Sequence, residues 1–391
     1  MLLIVPCPSE TVREGEIYGF NEQIDGIITV ETDMNETYAE QNRIKQLRQL
    51  RSIQESLPEF TEDFFRGIAD ITQVRTRIAY AYDLKIFFYF LKTSLKKFSD
   101  RKDVTDFYID DLDRLKATDL DRYSEFLNMY TMPVEGCEGK VRTYTNNEKG
   151  KQRKLSSLRS FYAFYYKKEM ISTNPSLLIN MPKIHEKPII RLDVNEVAEL
   201  LDTVESGEDL SPRQAAFHKR TGLRDLAIIT LFLGTGIRIS ELVGLNISDF
   251  SFKDNSFIAT RKGGNRMILY FSDEVKKALL DYYDNDRKDV EPADPSDEQA
   301  FFLSLQKKRI SARAVEKLLD KYIKVAVPLK KISPHKLRST FGTNLYNETN
   351  DIYLVADVLG HKDVNTTRRH YAAMEEDRRR IAAKVTKLRE E

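Results

Sequence analysis

The segment LGHKDVNTTRRHYAAM, residues 359–374, sets His361 and His370, Arg368 and Arg369, and Tyr371 among few large apolar side chains. A stretch this polar cannot itself be core. It is either a solvated surface or a site that meets an anion, and nothing inside the stretch decides between the two. The decision rests on what else the chain offers.

Upstream, SPHKLRSTFGTNL (333–345) holds His335 and Arg338 three residues apart, on one face if the segment is helical. GTGIRISEL (234–242) puts Arg238 just after a glycine break, at a helix start, where free backbone N–H groups also favour an anion. NSFIATRKGGNRMILYF (255–271) reads as a hairpin, two β-rich runs joined by a turn at Gly263 and Gly264. Lys262 sits beside that turn. Arg261 is its neighbour, and only one of the two can face a cleft. Taken singly, each residue has an ordinary reading: a solvent-facing arginine, a turn lysine, a structural histidine.

Taken together they match a demanding reaction. Cutting a phosphodiester without a metal gathers negative charge on non-bridging oxygens, which planar guanidinium groups grip with paired hydrogen bonds. The attacking group needs a base, and the departing 5′-oxygen needs a proton. A tyrosine hydroxyl, with an ordinary pKa of about 10, attacks poorly near neutral pH unless cations stabilise its phenolate.

The ordered set GTGIRISEL, RKGGNR, HKLRSTFGTNL and LGHKDVNTTRRHY closely resembles the catalytic domain of tyrosine site-specific recombinases, the family of Xer recombinases and phage or transposon integrases. The resemblance runs in order over residues 190–391 and extends more weakly over 58–170. It implies that Arg238 and Arg338 grip the scissile phosphate and that Lys262 is the general acid for the 5′-hydroxyl. His335 would assist as base, and His361 would buttress the phosphate. Tyr371 would attack and form a 3′-phosphotyrosyl bond, with neither ATP, metal nor other cofactor. His370 precedes Tyr371 directly, so the two compete for the nucleophile's register. Arg368 and Arg369 would be surface or DNA-backbone contacts. The partner implied is double-stranded DNA at a specific recombination site, bound by a homo-tetramer. The task would be chromosome dimer resolution or movement of a mobile element, and an accessory directionality protein stays open. So do two other readings: a non-catalytic DNA-binding regulator on the same fold, and a type IB topoisomerase-like activity.

The rest of the chain fits a mainly α fold with a small antiparallel β-sheet in the catalytic domain. The family's two domains would form a C-shaped clamp on DNA. Of 391 residues, 41% are hydrophobic, enough for ordinary cores. No apolar run is long enough to span a bilayer and no signal peptide is evident, so a soluble cytoplasmic protein is expected. Two cysteines, Cys7 and Cys137, make neither a disulfide framework nor a four-thiolate zinc site. The net charge of +1 hides an asymmetry, because residues 1–40 carry −8 and the remainder +9. An acidic head on a basic body suggests a body that meets a polyanion, though charge blocks are also often plain solvated surface.

Five segments follow. Residues 1–55 form an acidic extension of uncertain fold, helical from about Asn35. Residues 56–171 read as a helical core-binding domain. Its first helix carries Ile78, Tyr82, Ile86, Tyr89 and Phe90 at helical spacing. A second helix carries Leu120, Tyr123, Phe126 and Leu127, and a polar loop spans Pro133 to Lys149. A third helix turns Leu155, Leu158, Tyr162 and Tyr165 inward. That leaves Lys151, Arg153, Lys154 and Arg159 as candidates for an outer basic face that contacts DNA. Residues 172–190, with three prolines, read as a linker. Residues 191–373 form the catalytic domain, opening on a helix capped by Asp193 with Glu196 three residues on. Residues 374–391 form an amphipathic helix with Met374, Ile381, Val385 and Leu388 on one stripe, docked in cis or exchanged with another protomer.

Overall fold

The computed structural model describes residues 38–134, 136–137, 139–185, 190–261, 264–360 and 364. The chain divides between residues 186 and 187 into two compact units. Among the described residues, no helix is long and apolar enough to cross a membrane.

The first unit is built from α1 (Tyr38–Gln54), α2 (Thr61–Gly67), α3 (Val74–Ser94), α4 (Asp110–Asp113), α5 (Ala117–Phe126) and α6 (Glu148–Lys167). Its core is aromatic. Phe64 meets Phe161 edge-to-face with ring centroids 5.2 Å apart, and Phe87 meets Tyr123 in the same way at 5.1 Å. This arrangement sets the positive edge of one ring on the negative face of the next, which adds to the burial of area. On α6 the inward residues are Leu155, Leu158, Tyr162 and Tyr165, as their spacing predicts.

Three features of this unit differ from the sequence reading. On α3, Phe90 is buried and Ile78, Ile86 and Tyr89 pack partly buried against the core, as expected, but Tyr82 is 42% exposed and Ala81, Leu84, Phe87, Phe88 and Leu91 are the other buried apolar residues. Apolar residues occur all round this helix, so periodicity alone does not fix its inner face. The expected polar loop after α5 is largely a hairpin of β1 (Met129–Pro133) and β2 (Val141–Thr145), paired antiparallel with Tyr130 opposite Tyr144. The two rings stack at 5.4 Å, and Tyr130 also stacks on Phe126 of α5 at 5.0 Å, which binds the hairpin to that helix. The proline-rich segment is also less of a tether than its composition suggests. Backbone N–H groups of Ser172 and Thr173 donate to Asp113, and Arg159 donates to the carbonyl oxygens of Ser176 and Ile179.

The second unit opens with α7 (Val194–Ser206), whose first turn carries the expected box: Asp193 accepts from the Glu196 N–H and Glu196 from the Asp193 N–H. The central helix is α8 (Pro212–Thr235), buried over Ala227–Phe232. Around it lie α9 (Ile239–Leu242), α10 (Asp273–Tyr282), α11 (Ala312–Ala326), α12 (Pro334–Thr349) and α13 (Ile352–Leu359). The sheet has three strands, β3 (Phe250–Ser251), β4 (Ser256–Thr260) and β5 (Arg266–Tyr270), in sequential antiparallel order. Phe257 and Ala259 alternate inward along β4, as a half-buried strand requires.

A buried ion cluster ties α8 to α11. Asp225 accepts from Arg224 at 2.7 Å, Lys321 at 2.9 Å and the Tyr322 hydroxyl at 3.0 Å. Burial opposes the charge on Asp225, but the two cations outweigh it and hold the pKa below the usual carboxylate range. The Tyr322 hydroxyl, which donates to Asp225, also lies 3.0 Å from His218 Nδ1 and so brings α8's histidine to the same cluster.

Candidate active site

Arg238 caps α9. Gly236, in the left-handed region at φ 62°, ends α8 and turns the chain so that Arg238 falls on the next helix start. The space at Gly236 is closed as well, since a Cβ there would stand 2.5 Å from the Phe341 ring. The backbone N–H of Arg238 is not free for an anion, as the sequence suggested. It donates to the Glu241 carboxylate at 3.0 Å, while Nη1 of the same arginine donates to the other carboxylate oxygen at 2.7 Å. Glu241 is 4% exposed and fixes both ends of Arg238.

His335 and Arg338 lie on α12, one turn apart, with His335 exposed and Arg338 only 4% exposed. Arg338 donates through Nη1 to the Gly236 carbonyl oxygen and through Nη2 to that of Leu359. Arg238 Nη2 reaches the same Leu359 oxygen at 3.4 Å and the Gly360 oxygen at 3.3 Å. Two arginines distant in sequence therefore meet at the C-terminal turn of α13. The last carbonyls of a helix lack intrahelical partners and carry partial negative charge, which draws cations to that turn.

Of the other expected catalytic residues, Lys262, His361 and Tyr371 lie outside the described residues, as do Arg368 and Arg369. His370 and the stripe Met374, Ile381, Val385 and Leu388 do too. The choice between Arg261 and Lys262 is settled on one side only. Arg261 turns inward and donates to the Val358 carbonyl oxygen at 2.8 Å.

The four basic residues of α6 expected to contact DNA each hold a partner within the first unit, with Arg153 still exposed. Lys154 is 7% exposed and donates to Asn146. Arg153 makes a two-pronged pair with Asp83 at 2.5 and 2.7 Å, and Arg159 is spent on the carbonyl oxygens after α6. Lys151 donates to Asn128 at 2.9 Å. The reason lies in the interior. Asp83 is 1% exposed, and burial, outweighing Arg153 and Lys154, pushes its pKa up to about 6. A buried carboxylate and unpaired carbonyls need cations, and α6 supplies them.

Sequence reasoning missed two site residues. Glu241 was visible as an acid three residues after Arg238, the spacing of a helix-start box. Arg261 was named but left undecided, because nothing in a hairpin turn shows which neighbour turns inward.

A helical unit with one small sheet thus brings two guanidiniums together at one turn. Comparison with known proteins gives the class. Residues 190–378 match the phage integrase family. The chain is 34% identical over 321 residues to the tyrosine recombinase XerC of Caldanaerobacter subterraneus subsp. tengcongensis, covering 79% of this chain and 82% of that protein. It is 31% identical over 262 residues to the XerC of Thermodesulfovibrio yellowstonii, covering 65% and 83%. The crystal structure of the XerH site-specific recombinase on a palindromic difH substrate, a post-cleavage complex, matches with a TM-score of 0.59. That match has 18% identity over 88% of this chain and 89% of the other, a likeness of fold. This chain belongs to the tyrosine recombinase family. It is a site-specific recombinase, an enzyme that cleaves and rejoins DNA.

Proposed function

We propose that the chain exchanges strands between two copies of a specific duplex site through a 3′-phosphotyrosyl bond. Arg238 and Arg338 hold the non-bridging oxygens of the scissile phosphate. The Tyr371 oxygen attacks phosphorus and its proton passes to His335. The bond to the 5′-oxygen breaks, and that oxygen takes a proton from Lys262. His361 supports the phosphate. Rejoining reverses each transfer, so the bond energy is kept in the tyrosyl ester. Residues 56–171 serve as the core-binding domain and 191–373 as the catalytic domain. Four protomers assemble on paired sites, with residues 374–391 docking on a neighbour. An accessory protein that sets direction fits this scheme.

The observation that carries this reading is the meeting of Arg238 and Arg338 at one carbonyl oxygen. Two permanently charged, planar donors held together suit a tetrahedral anion. The test uses nicked suicide duplexes drawn from sequence flanking the gene. Wild type should give a protease-sensitive covalent band in EDTA on a denaturing gel, and Tyr371→Phe should give none. A band that persists in Tyr371→Phe would move the nucleophile elsewhere, with His370 the first neighbour to examine.

A further inference from the structure

The turn after β4 carries two adjacent cations, and one of them is built into the site from behind. Arg261 Nη2 donates to the Val358 carbonyl oxygen, while its Nε and Nη1 are buried and meet no acceptor among the described residues. The guanidinium fills the place where a side chain on residue 360 would be. A Cβ there would stand 1.2 Å from Nη1, and residue 360 also has φ 59°, so glycine alone admits this arginine.

Arg261 completes a row. The Val358 oxygen is held by Arg261, that of Leu359 by Arg338 and Arg238, and that of Gly360 by Arg238. One cation is enough to cap a helix as short as α13. Three guanidiniums on three successive carbonyls exceed that need, and Glu241 pairs with Arg238. Burial, and then the nearby Arg238 cation, lower the pKa of Arg261, with Glu241 and Asp357 acting the other way. A buried guanidinium with donors unmet is unfavourable by itself. Its position therefore needs an account other than stability.

We propose that Arg261 is a positioning residue for strand cleavage: it anchors the Val358–Gly360 turn to the sheet and, through the carbonyls of that turn, aims Arg238 and Arg338 at the phosphodiester. The proposal rests on the phosphate-gripping role of those two arginines. Without Arg261, the turn stays bonded to both but is no longer tied to β4, so both guanidiniums lose their fixed direction. Small displacements of this kind act on the rate of a reaction more than on the grip on its substrate.

The test is single-turnover formation of the covalent band on the nicked duplex, alongside duplex affinity and thermal melting of the full chain. Arg261→Ala should slow the band about tenfold to a hundredfold at saturating DNA, while affinity changes by less than about twofold. Methylguanidinium in solution should restore part of that rate by filling the space beside Gly360. Arg261→Lys, which keeps a cation able to reach the Val358 oxygen, should lose less than Arg261→Ala. An unchanged rate, or a loss shared equally by rate and affinity without rescue, would overturn the proposal. If Arg261→Ala does not melt cooperatively, Arg261→Lys carries the test, and a rate equal to wild type with full affinity defeats it. Failure of the wild-type band itself marks failure of the recombinase chemistry, seen before any variant is compared.

Discussion

Helix α6 in the first unit and the C-terminal turn of α13 in the second use their cations in opposite ways. In the first, α6 sends its cations to neutralise what the fold has already buried: Arg153 to Asp83, Arg159 to carbonyl oxygens. In the second, Arg238, Arg261 and Arg338 crowd one turn, where Glu241 pairs with Arg238. The first arrangement settles a cost of folding. The second keeps a surplus of positive charge in a partly desolvated place, where an anion gains most from it. Buried charge by itself therefore does not mark a site.

The largest expected effect separates the units directly. Arg338→Ala should reduce the rate of covalent band formation about a thousandfold, since one oriented donor group to the transition state is lost. Single-turnover gels measure it, and a loss confined to DNA affinity would break the contrast. Next comes Phe88→Ala in the first unit, fully buried and packed at 5.5 Å on Phe107. It should destabilise the chain by about 3 kcal/mol or more in denaturant titration, with cleavage by the folded fraction unchanged. The smallest effect concerns Asp83. Its folded pKa of about 6 lies above the ordinary 3.8, so its contribution is fully present below pH 3.8 and is lost as pH rises through 6. Wild type should lose at most about 3 kcal/mol across that window relative to Asp83→Asn. Parallel stability curves for the two proteins would show that Arg153 fully compensates the burial.

Much of this was legible in the residues. The inner face of α6, the Asp193 cap of α7 and the β4–β5 hairpin all follow from local rules that the structure obeys. So does the helix that carries His335 and Arg338. What could not be read depends on partners far away in sequence. The inner face of α3 was ambiguous because several of its faces are apolar. The cations of α6 look like a solvated face until Asp83, seventy residues earlier, is known to be buried beneath them. The inward turn of Arg261 depends on a missing side chain at Gly360, and that vacancy exists only once β4 and α13 are neighbours.

The acceptors that gather the three arginines are main-chain oxygens of Val358, Leu359 and Gly360, together with that of Gly236. No codon change can delete a carbonyl. Over generations the side chains at 358 and 359 are thus free to drift, with Leu359 held only to types that still fill the interior, and the clamp survives. The genetic burden falls on Gly360, where the smallest side chain of all is already too large.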